Sequence, residues 1–336
     1  MTVGLVVESL VKSAIIIVFL LTAFAYMTLY ERKLVGRIQV RYGPNRVGPG
    51  GMLQPLADGI KLAFKQAITP RGVDKPLYLL APAISVVTAL LAFAVVPIGP
   101  GGVNLFGYRT DLWLADFNIG LLYVLAMSSL GVYGIVLAGY ASNNKYSLLG
   151  GLRASAQLIS YELALGLSLI GVLMLTGSLS LNDVVDHQGG TWFGFIPRWH
   201  ILVQPIAFVV FLISAIAETN RAPFDLVEAE QELVGGFHTE YSGLRFALFF
   251  MAEYINMVTV SALAATLFLG GWRGPFFGGP WWLLLKIAFF LTLYVLLRAT
   301  LPRLRYDQLM RLGWKVLLPL ALFNIVITAI GVVLVG

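Results

Sequence analysis

The chain has 336 residues, of which 58% are apolar and only 12% are charged. A typical soluble domain carries about a quarter charged residues, so this composition excludes a soluble globular enzyme. The net charge of +6 is explained by basic residues beside membrane spans and requires no nucleic acid partner.

Long stretches without charge recur along the chain and predict membrane-spanning helices, because an apolar helix needs about 20 residues to cross the hydrocarbon layer. Seven stretches lack Asp, Glu, Lys and Arg, and an eighth is broken only by Lys286. We therefore predict an all-α polytopic membrane protein, with residues 1–336 forming a single transmembrane domain of eight transmembrane helices. The approximate spans are 10–30, 77–97, 117–140, 158–178, 200–217, 246–269, 281–300 and 315–335.

Lysine and arginine are divided unequally between the two sides of this predicted bundle. The segments 31–76, 141–157, 218–245 and 298–315 hold 18 of the 23 basic residues, and the opposite side holds four. This bias predicts that the four segments are cytoplasmic loops and that both termini lie outside. The basic cluster at 31–33 follows the first apolar run, which favours a retained helix over a signal peptide.

The first cytoplasmic segment contains a Gly- and Pro-rich loop with Arg41 and continues into an amphipathic stretch at 53–66. Its apolar residues recur at helical spacing, with polar residues opposite, which predicts a helix at the membrane surface. The apolar face is Leu53, Leu56, Ile60 and Phe64, and the polar face is Gln54, Asp58, Lys61 and Lys65. A plain interfacial helix with an Asp58–Lys61 surface pair is the alternative.

The large cytoplasmic loop 218–245 is acidic, unlike the other cytoplasmic loops. Its carboxylates are Glu218, Asp225, Glu228, Glu230, Glu232 and Glu240, and Arg221 is the only base before Arg245. Crowded carboxylates titrate as a coupled set with some pKa values raised, which allows proton transfer near neutral pH. Acids that merely stabilise a helix N-terminus are the alternative.

Two more acids, Glu162 and Glu253, lie within apolar spans. A carboxylate at such depth is costly, so each is predicted to face the bundle interior and to mark an ion or proton path. Lys286 lies near the outer end of its span, where its ammonium group is expected to extend to the interface.

Redox centres and nucleotides are expected outside this chain. The absence of cysteine excludes a disulfide and a cysteine-ligated iron–sulfur cluster within it. The three histidines are far apart in sequence, so we expect no metal site, and neither GxGxxG nor GxxxxGK occurs.

Several long motifs carry a resemblance to a known family. They are Glu31-Arg-Lys33, Gly43-Pro-Asn45, Val47-Gly-Pro49, Leu53-Gln-Pro-Leu-Ala-Asp58, Ser160-Tyr-Glu162, Ala217-Glu-Thr-Asn-Arg-Ala-Pro-Phe-Asp225, Glu232-Leu-Val234, Phe249-Phe-Met-Ala-Glu-Tyr254 and Pro302-Arg-Leu-Arg-Tyr-Asp-Gln-Leu-Met310. Through these motifs the sequence resembles the family of the H-type membrane subunits of bacterial NADH-quinone oxidoreductase, the counterparts of subunit 1 of mitochondrial respiratory complex I. The resemblance covers nearly the whole chain.

The resemblance implies an H⁺-translocating NADH:quinone oxidoreductase whose activity needs the whole complex. It implies a multi-pass subunit of the bacterial inner (plasma) membrane that joins the peripheral electron-transfer arm to antiporter-like membrane subunits. The chain would bind quinone as substrate, whereas FMN and the iron–sulfur clusters would belong to partner subunits.

The resemblance also implies roles for particular residues. The quinone chamber would be lined or gated by Glu31, Arg32, Arg41, Asp58, Phe224 and Arg298. The acidic path that couples quinone reduction to proton movement would contain Glu162, Glu218, Asp225, Glu228, Glu230 and Glu253.

Three alternatives to this function stay open. A related membrane-bound hydrogenase, F420-dependent or ferredoxin-linked complex would share much of the pattern. A stand-alone ion transporter is disfavoured because the sequence lacks the internal repeat of many transporters. A structural anchor without a ligand would make charge-neutralising changes at Arg41 or Asp58 affect assembly alone. Ubiquinone and menaquinone are not distinguished by the sequence.

Overall fold

The computed structural model describes residues 3–105, 108–192, 196–225, 234–275 and 278–335. Helices dominate these ranges. They are α1 (Val3–Ile38), α2 (Gln54–Phe64), α3 (Lys75–Phe93), α4 (Gly120–Ala141), α5 (Lys145–Thr176), α6 (Leu181–His187), α7 (His200–Val203), α8 (Pro205–Glu218), α9 (Leu244–Phe268), α10 (Pro280–Thr300), α11 (Tyr306–Leu312) and α12 (Leu318–Val335).

Within the described ranges, seven helical stretches are long and apolar enough to cross a bilayer. They are α1, α3, α4, α5, α9, α10 and the continuous stretch 306–334, in which a π-helical turn (Gly313–Leu317) joins α11 to α12. The chain is therefore an all-α polytopic membrane protein, which confirms the fold class predicted from composition. The total of eight spans and the side on which the termini lie stay predictions.

The predicted span 200–217 is not one continuous helix. It consists of the four-residue helix α7 and the 14-residue helix α8, which are separated at Gln204. Pro205 has no backbone N–H and disfavours helical geometry at the residue before it, so the helix breaks here. At 1.5 Å per residue α8 extends about 21 Å, less than the roughly 30 Å of the hydrocarbon layer.

Two helices extend well beyond the apolar runs that predicted them. Helix α1 continues to Ile38, and α5 begins at Lys145, although the runs suggested 10–30 and 158–178. The Oδ1 atom of Asn144 accepts a hydrogen bond from the Tyr146 N–H at 2.9 Å and caps the early start of α5. An uncharged run marks the part of a helix inside hydrocarbon, whereas the backbone hydrogen bonds continue into the polar region.

Lys286 is buried, with 5% of its surface exposed, although its ammonium group was expected to extend to the interface. Its Nζ donates hydrogen bonds to the carbonyls of Leu269, Gly271 and Arg273 at 2.5, 2.8 and 2.7 Å. These carbonyls follow the last residue of α9, where helical donors are absent. The ammonium group of α10 therefore stabilises the end of α9.

Two short hairpins lie in loops on the predicted outer side. Strands β1 (Val103–Leu105) and β2 (Tyr108–Thr110) pair antiparallel, with Val103 opposite Thr110. Strands β3 (Thr191–Trp192) and β4 (Ile196–Pro197) also pair antiparallel, with Thr191 opposite Pro197. These hairpins are minor elements of a helical fold.

The core has two large parts along the bundle. One contains the buried rings of Phe93, Phe211 and Phe268 and is formed by residues of α1, α3, α4, α5, α6, α8, α9 and α10. The other contains Tyr161, Phe224 and Tyr254 and is formed mainly by residues of α1, α5, α8, α9, α10, α11 and the start of α12. Tyr161 donates its hydroxyl to the Leu309 carbonyl at 2.8 Å, which fixes α11 against α5.

The segment before α9 is held against α3 by a tyrosine pair. The rings of Tyr78 and Tyr241 stack with centroids 4.2 Å apart and planes 9° from parallel. The Tyr78 hydroxyl donates to the Glu240 carbonyl at 2.8 Å, and the Tyr241 hydroxyl donates to the Tyr78 carbonyl at 3.1 Å. Burial raises the pKa of the Tyr241 hydroxyl, so this group stays protonated and keeps its donor role.

Candidate functional site

A cavity of about 860 Å³ lies between α1, α2, α9 and the end of α10. Its walls are mainly apolar and include Phe24, Leu62 and Met251. Five of the six residues predicted for the quinone chamber line it, namely Glu31, Arg32, Arg41, Asp58 and Arg298. Apolar walls with a few clustered polar groups are typical of small-molecule sites.

Helix α2 places apolar side chains outward and one carboxylate toward this cavity. Leu56, Ile60 and Phe64 are more than half exposed, as expected for a helix that lies at a membrane surface. Asp58 lines the cavity and accepts a hydrogen bond from Arg32 of α1 at 2.7 Å, a pairing between helices that the spacing within α2 did not predict. Gln54 donates to the other Asp58 oxygen at 3.1 Å.

Glu31 is the most heavily contacted charge in the cavity wall and is 6% exposed. The Tyr254 hydroxyl donates to its Oε2 at 2.6 Å. The guanidinium of Arg298 donates to its Oε1. A second guanidinium, from Arg221, lies 3.5 Å from the same oxygen. Two hydrogen-bond donors, from α9 and α10, and the Arg221 guanidinium from the turn after α8 thus converge on one buried carboxylate of α1.

Arg221 connects this cavity to the predicted acidic path. Its Nε lies 2.6 Å from Oε1 of Glu253 in α9, while its Nη1 faces Glu31. The guanidinium also lies over the Tyr254 ring, 4.2 Å from the centroid. Arg221 is 7% exposed, so these interactions are little screened by solvent. One buried cation therefore bridges carboxylates from both predicted groups of site residues.

A second, smaller cavity of about 70 Å³ lies on the other side of Glu253. Its polar lining includes Glu218, Glu253, Ser128, His238 and Asn256, and this size and polarity suit a few water molecules. Phe250 lines both cavities.

Glu162 lies close to the smaller cavity. It accepts a hydrogen bond from the Ser129 hydroxyl of α4 and interacts electrostatically with Glu218. Three of the predicted acidic-path residues, Glu162, Glu218 and Glu253, are therefore brought together from α5, α8 and α9.

The remaining predicted residues are placed differently. Phe224 is not among the residues that line the larger cavity, because its ring packs beside Tyr161 with centroids 5.7 Å apart. Asp225 lies 3.6 Å from the Arg303 guanidinium. Glu228 and Glu230 lie outside the described residues.

Comparison with known proteins places the chain in a family. The sequence model of the NADH dehydrogenase family matches residues 11–329. The chain belongs to the NADH dehydrogenase family. It is 60% identical over 314 residues to the H-type subunit of NADH-quinone oxidoreductase from Thermomicrobium roseum, an alignment that covers 93% of this chain and 92% of that protein.

Two further relatives, also H-type subunits of NADH-quinone oxidoreductase, show the same likeness. The one from Deinococcus deserti is 56% identical over 331 residues, which cover 96% of this chain and 83% of the relative. The one from Geobacter metallireducens is 53% identical over 337 residues, which cover 96% of this chain and 95% of the relative. The resemblance stated from the motifs is confirmed.

Two residues of the site in this member of the NADH dehydrogenase family were absent from the sequence prediction. Arg221 was noted only as a base among carboxylates, and Tyr254 only as part of a motif. The sequence contained one usable signal for Arg221, because a single base among six acids in a loop between apolar spans is expected to pair with acids. Nothing in the pattern indicated that its partners are on α1 and α9.

The arrangement favours electrostatic coupling between the two cavities. A change of charge in the larger cavity acts on Glu31, and Arg221 carries the effect to Glu253 because the same guanidinium contacts both carboxylates. In a region of low dielectric constant such interactions are strong and are little weakened by salt.

Replacing Arg221 by methionine leaves the buried Glu31 and the partly buried Glu253 without their shared cation. We expect Arg221→Met to lower the free energy of unfolding by about 3–5 kcal/mol, as for other broken buried pairs. The measurement is the thermal denaturation of the detergent-extracted assembly. Arg305→Met is the matched control, because Arg305 and its partner Asp307 are largely exposed. Equal denaturation temperatures for the two variants would contradict a structural role for the Arg221 bridge.

Proposed function

We propose that this chain is the membrane subunit of a proton-pumping NADH-quinone oxidoreductase, helps to form its quinone chamber and couples quinone reduction to proton translocation. The support is its family membership together with the Arg221 bridge between a charged cavity and an acidic cavity. Peripheral-arm and antiporter-like subunits would be its partners, with FMN and iron–sulfur clusters in those partners. The chain would lie in the bacterial plasma membrane.

The larger cavity suits a ligand with an apolar tail and a polar head. Phe24, Val35 and Met251 offer an apolar wall to the tail. Donors for a carbonyl-bearing head are present at the charged end, where Arg32 and Arg298 line the same space. An isoprenoid quinone has this chemistry, and its tail can enter from the hydrocarbon layer.

Quinone reduction changes the charge balance beside Glu31. Two electrons from NADH, delivered through partner subunits, and two protons convert the quinone to a quinol. If the charged end of the larger cavity becomes more negative at any stage of the reduction, the Arg221 guanidinium is attracted toward Glu31. Its electrostatic interaction with Glu253 then becomes weaker. Glu253 then binds a proton more tightly, and the change passes through the smaller cavity to Glu218 and Glu162.

The sharpest test of this coupling is the removal of charge at Glu253. We expect Glu253→Gln to preserve quinone reduction but to reduce the protons pumped per electron about twofold or more, since the intramembrane carboxylate is the proton-carrying group. The measurements are NADH-driven quinone reduction and proton uptake in inverted membrane vesicles.

Glu240→Gln is the matched control for this variant. Glu240 accepts a hydrogen bond from Asn144 at 2.6 Å and lines neither cavity. It should therefore retain the normal ratio of protons to electrons. A normal ratio in Glu253→Gln as well would rule out coupling through Arg221 and Glu253.

The chamber predicts a separate effect on substrate binding. Asp58→Asn weakens the charged hydrogen bond to Arg32, and we expect the KM for quinone to rise about tenfold with the assembly intact, as for loss of one charged hydrogen bond. Asp307→Asn, in an exposed pair with Arg305, is the control and should leave the KM unchanged. A loss of assembly without any change in KM would instead favour the structural anchor.

The identity of the complex needs an experiment of its own. The tagged chain is extracted from native membranes in mild detergent, and the purified material is assayed for NADH-driven quinone reduction. A large assembly with this activity supports the proposal. An assembly that reduces quinone only with hydrogen, reduced F420 or ferredoxin would assign the chain to a related complex, and a lone chain with ion flux would favour a transporter.

A further inference from the structure

A fully buried glutamine of α5, Gln157, lies beside the turn that carries Arg221. It has no exposed surface. We define this turn as residues 218–224. It runs from the last residue of α8 to Phe224, the phenylalanine that packs on Tyr161. Gln157 was not singled out by any sequence pattern, and it lines neither of the two cavities.

The amide nitrogen of Gln157 faces three oxygen atoms of this turn. Nε2 donates to the carbonyls of Ala217 and Phe224, each at 2.9 Å. The side-chain Oδ1 of Asn220 lies 3.4 Å from the same nitrogen. Because all three neighbours are acceptors, the amide must point its N–H groups toward the turn, and its two hydrogens match the two shorter bonds.

The two carbonyls bound by Gln157 flank the turn, one directly before it and one at its last residue. Ala217 comes directly before Glu218, and Phe224 follows Arg221 by three residues. The turn also has its own internal bond, from the Phe224 N–H to the Arg221 carbonyl at 2.8 Å. Gln157 therefore ties the two ends of this loop together, alongside the bond that the Pro223 carbonyl accepts from the Leu304 N–H at 3.0 Å.

The oxygen atom of the same amide indicates that Gln157 acts here as a hydrogen-bond donor and not as an acceptor. Among the described residues, Oε1 of Gln157 is buried without a hydrogen-bond partner. An unpaired buried acceptor is destabilising, and a methionine of similar size would avoid it. The two donated bonds are thus the contribution that a polar residue makes here.

We propose that Gln157 is a positioning residue that holds the 218–224 turn in one conformation, so that Arg221 contacts both Glu31 and Glu253. This inference rests on the proposed coupling function. In the absence of the two bonds the turn can shift along α5, and the guanidinium then loses its simultaneous contact with two carboxylates from different helices. Gln157 acts through the turn and touches no substrate.

The test compares Gln157→Met with Gln188→Met in the assembled complex. Gln188 is a matched control, because it is also buried and its Nε2 donates to two carbonyls, those of Val184 and Thr266, at 3.1 and 2.9 Å. It follows α6, bonds to α9 and accepts from the first residue of α7, so it lies near the segment before α8, whereas the turn follows α8. Both variants remove two donated bonds, and Gln188→Met also removes the bond that its Oε1 accepts from the His200 N–H at 3.2 Å, so the control should destabilise the assembly at least as much as Gln157→Met.

The two variants should differ in coupling. We expect Gln157→Met to reduce the protons pumped per electron about twofold or more relative to Gln188→Met, because losing a net hydrogen bond shifts a two-state equilibrium about fivefold. The kcat for quinone reduction should change by a smaller factor than the ratio of protons pumped to electrons transferred. An equal ratio of protons to electrons in the two variants would overturn the inference.

A further variant covers the case in which Gln157→Met fails to assemble. Gln157→Asn keeps the donor group on a side chain one methylene shorter, which cannot reach both carbonyls in the present geometry. It should assemble and show the same loss of coupling in weaker form, and a normal ratio would overturn the inference. A normal ratio in Glu253→Gln would instead refute the coupling function itself, so the two failures are distinguishable.

Discussion

The guanidinium of Arg221 lies between carboxylates of two helices that are far apart in sequence, and this contact ties the fold to the candidate site. Glu31 belongs to α1 and Glu253 to α9, and both approach the same buried cation. Buried charges are tolerated only when their partners are close and well oriented. The packing of α1, α9 and the turn after α8 is therefore constrained by the requirement that these charges meet.

Tyr254 adds a second constraint at the same place. Its hydroxyl donates to Glu31 at 2.6 Å, and its ring supports the Arg221 guanidinium at 4.2 Å. One side chain thus contacts both the anion and the cation of the bridge. Such an arrangement transmits a change at either carboxylate, since neither charge can move without altering its contact with the same ring and guanidinium.

The interior also shows how polar groups are satisfied in a protein surrounded by lipid. Where a helix breaks or ends, its backbone groups need partners from within the protein. Lys286 supplies three hydrogen bonds at the end of α9, and Gln157 supplies two at the end of α8. At the break before Pro205, the buried side-chain amide of Gln204 is itself satisfied by α12, since it donates to Thr328 and accepts from Asn324, both at 2.8 Å.

The sequence by itself determined the membrane class, the family and the residue types that the site uses. Charge-free runs predicted where the long apolar helices lie, and the motifs located Glu31, Asp58 and Glu253. It did not reveal the break at Gln204, the buried position of Lys286 or the bridging role of Arg221. A one-dimensional pattern reports the depth of a residue and the face of its helix, whereas the neighbour across a helix interface depends on how distant segments pack. Only the tertiary structure decided which charges meet.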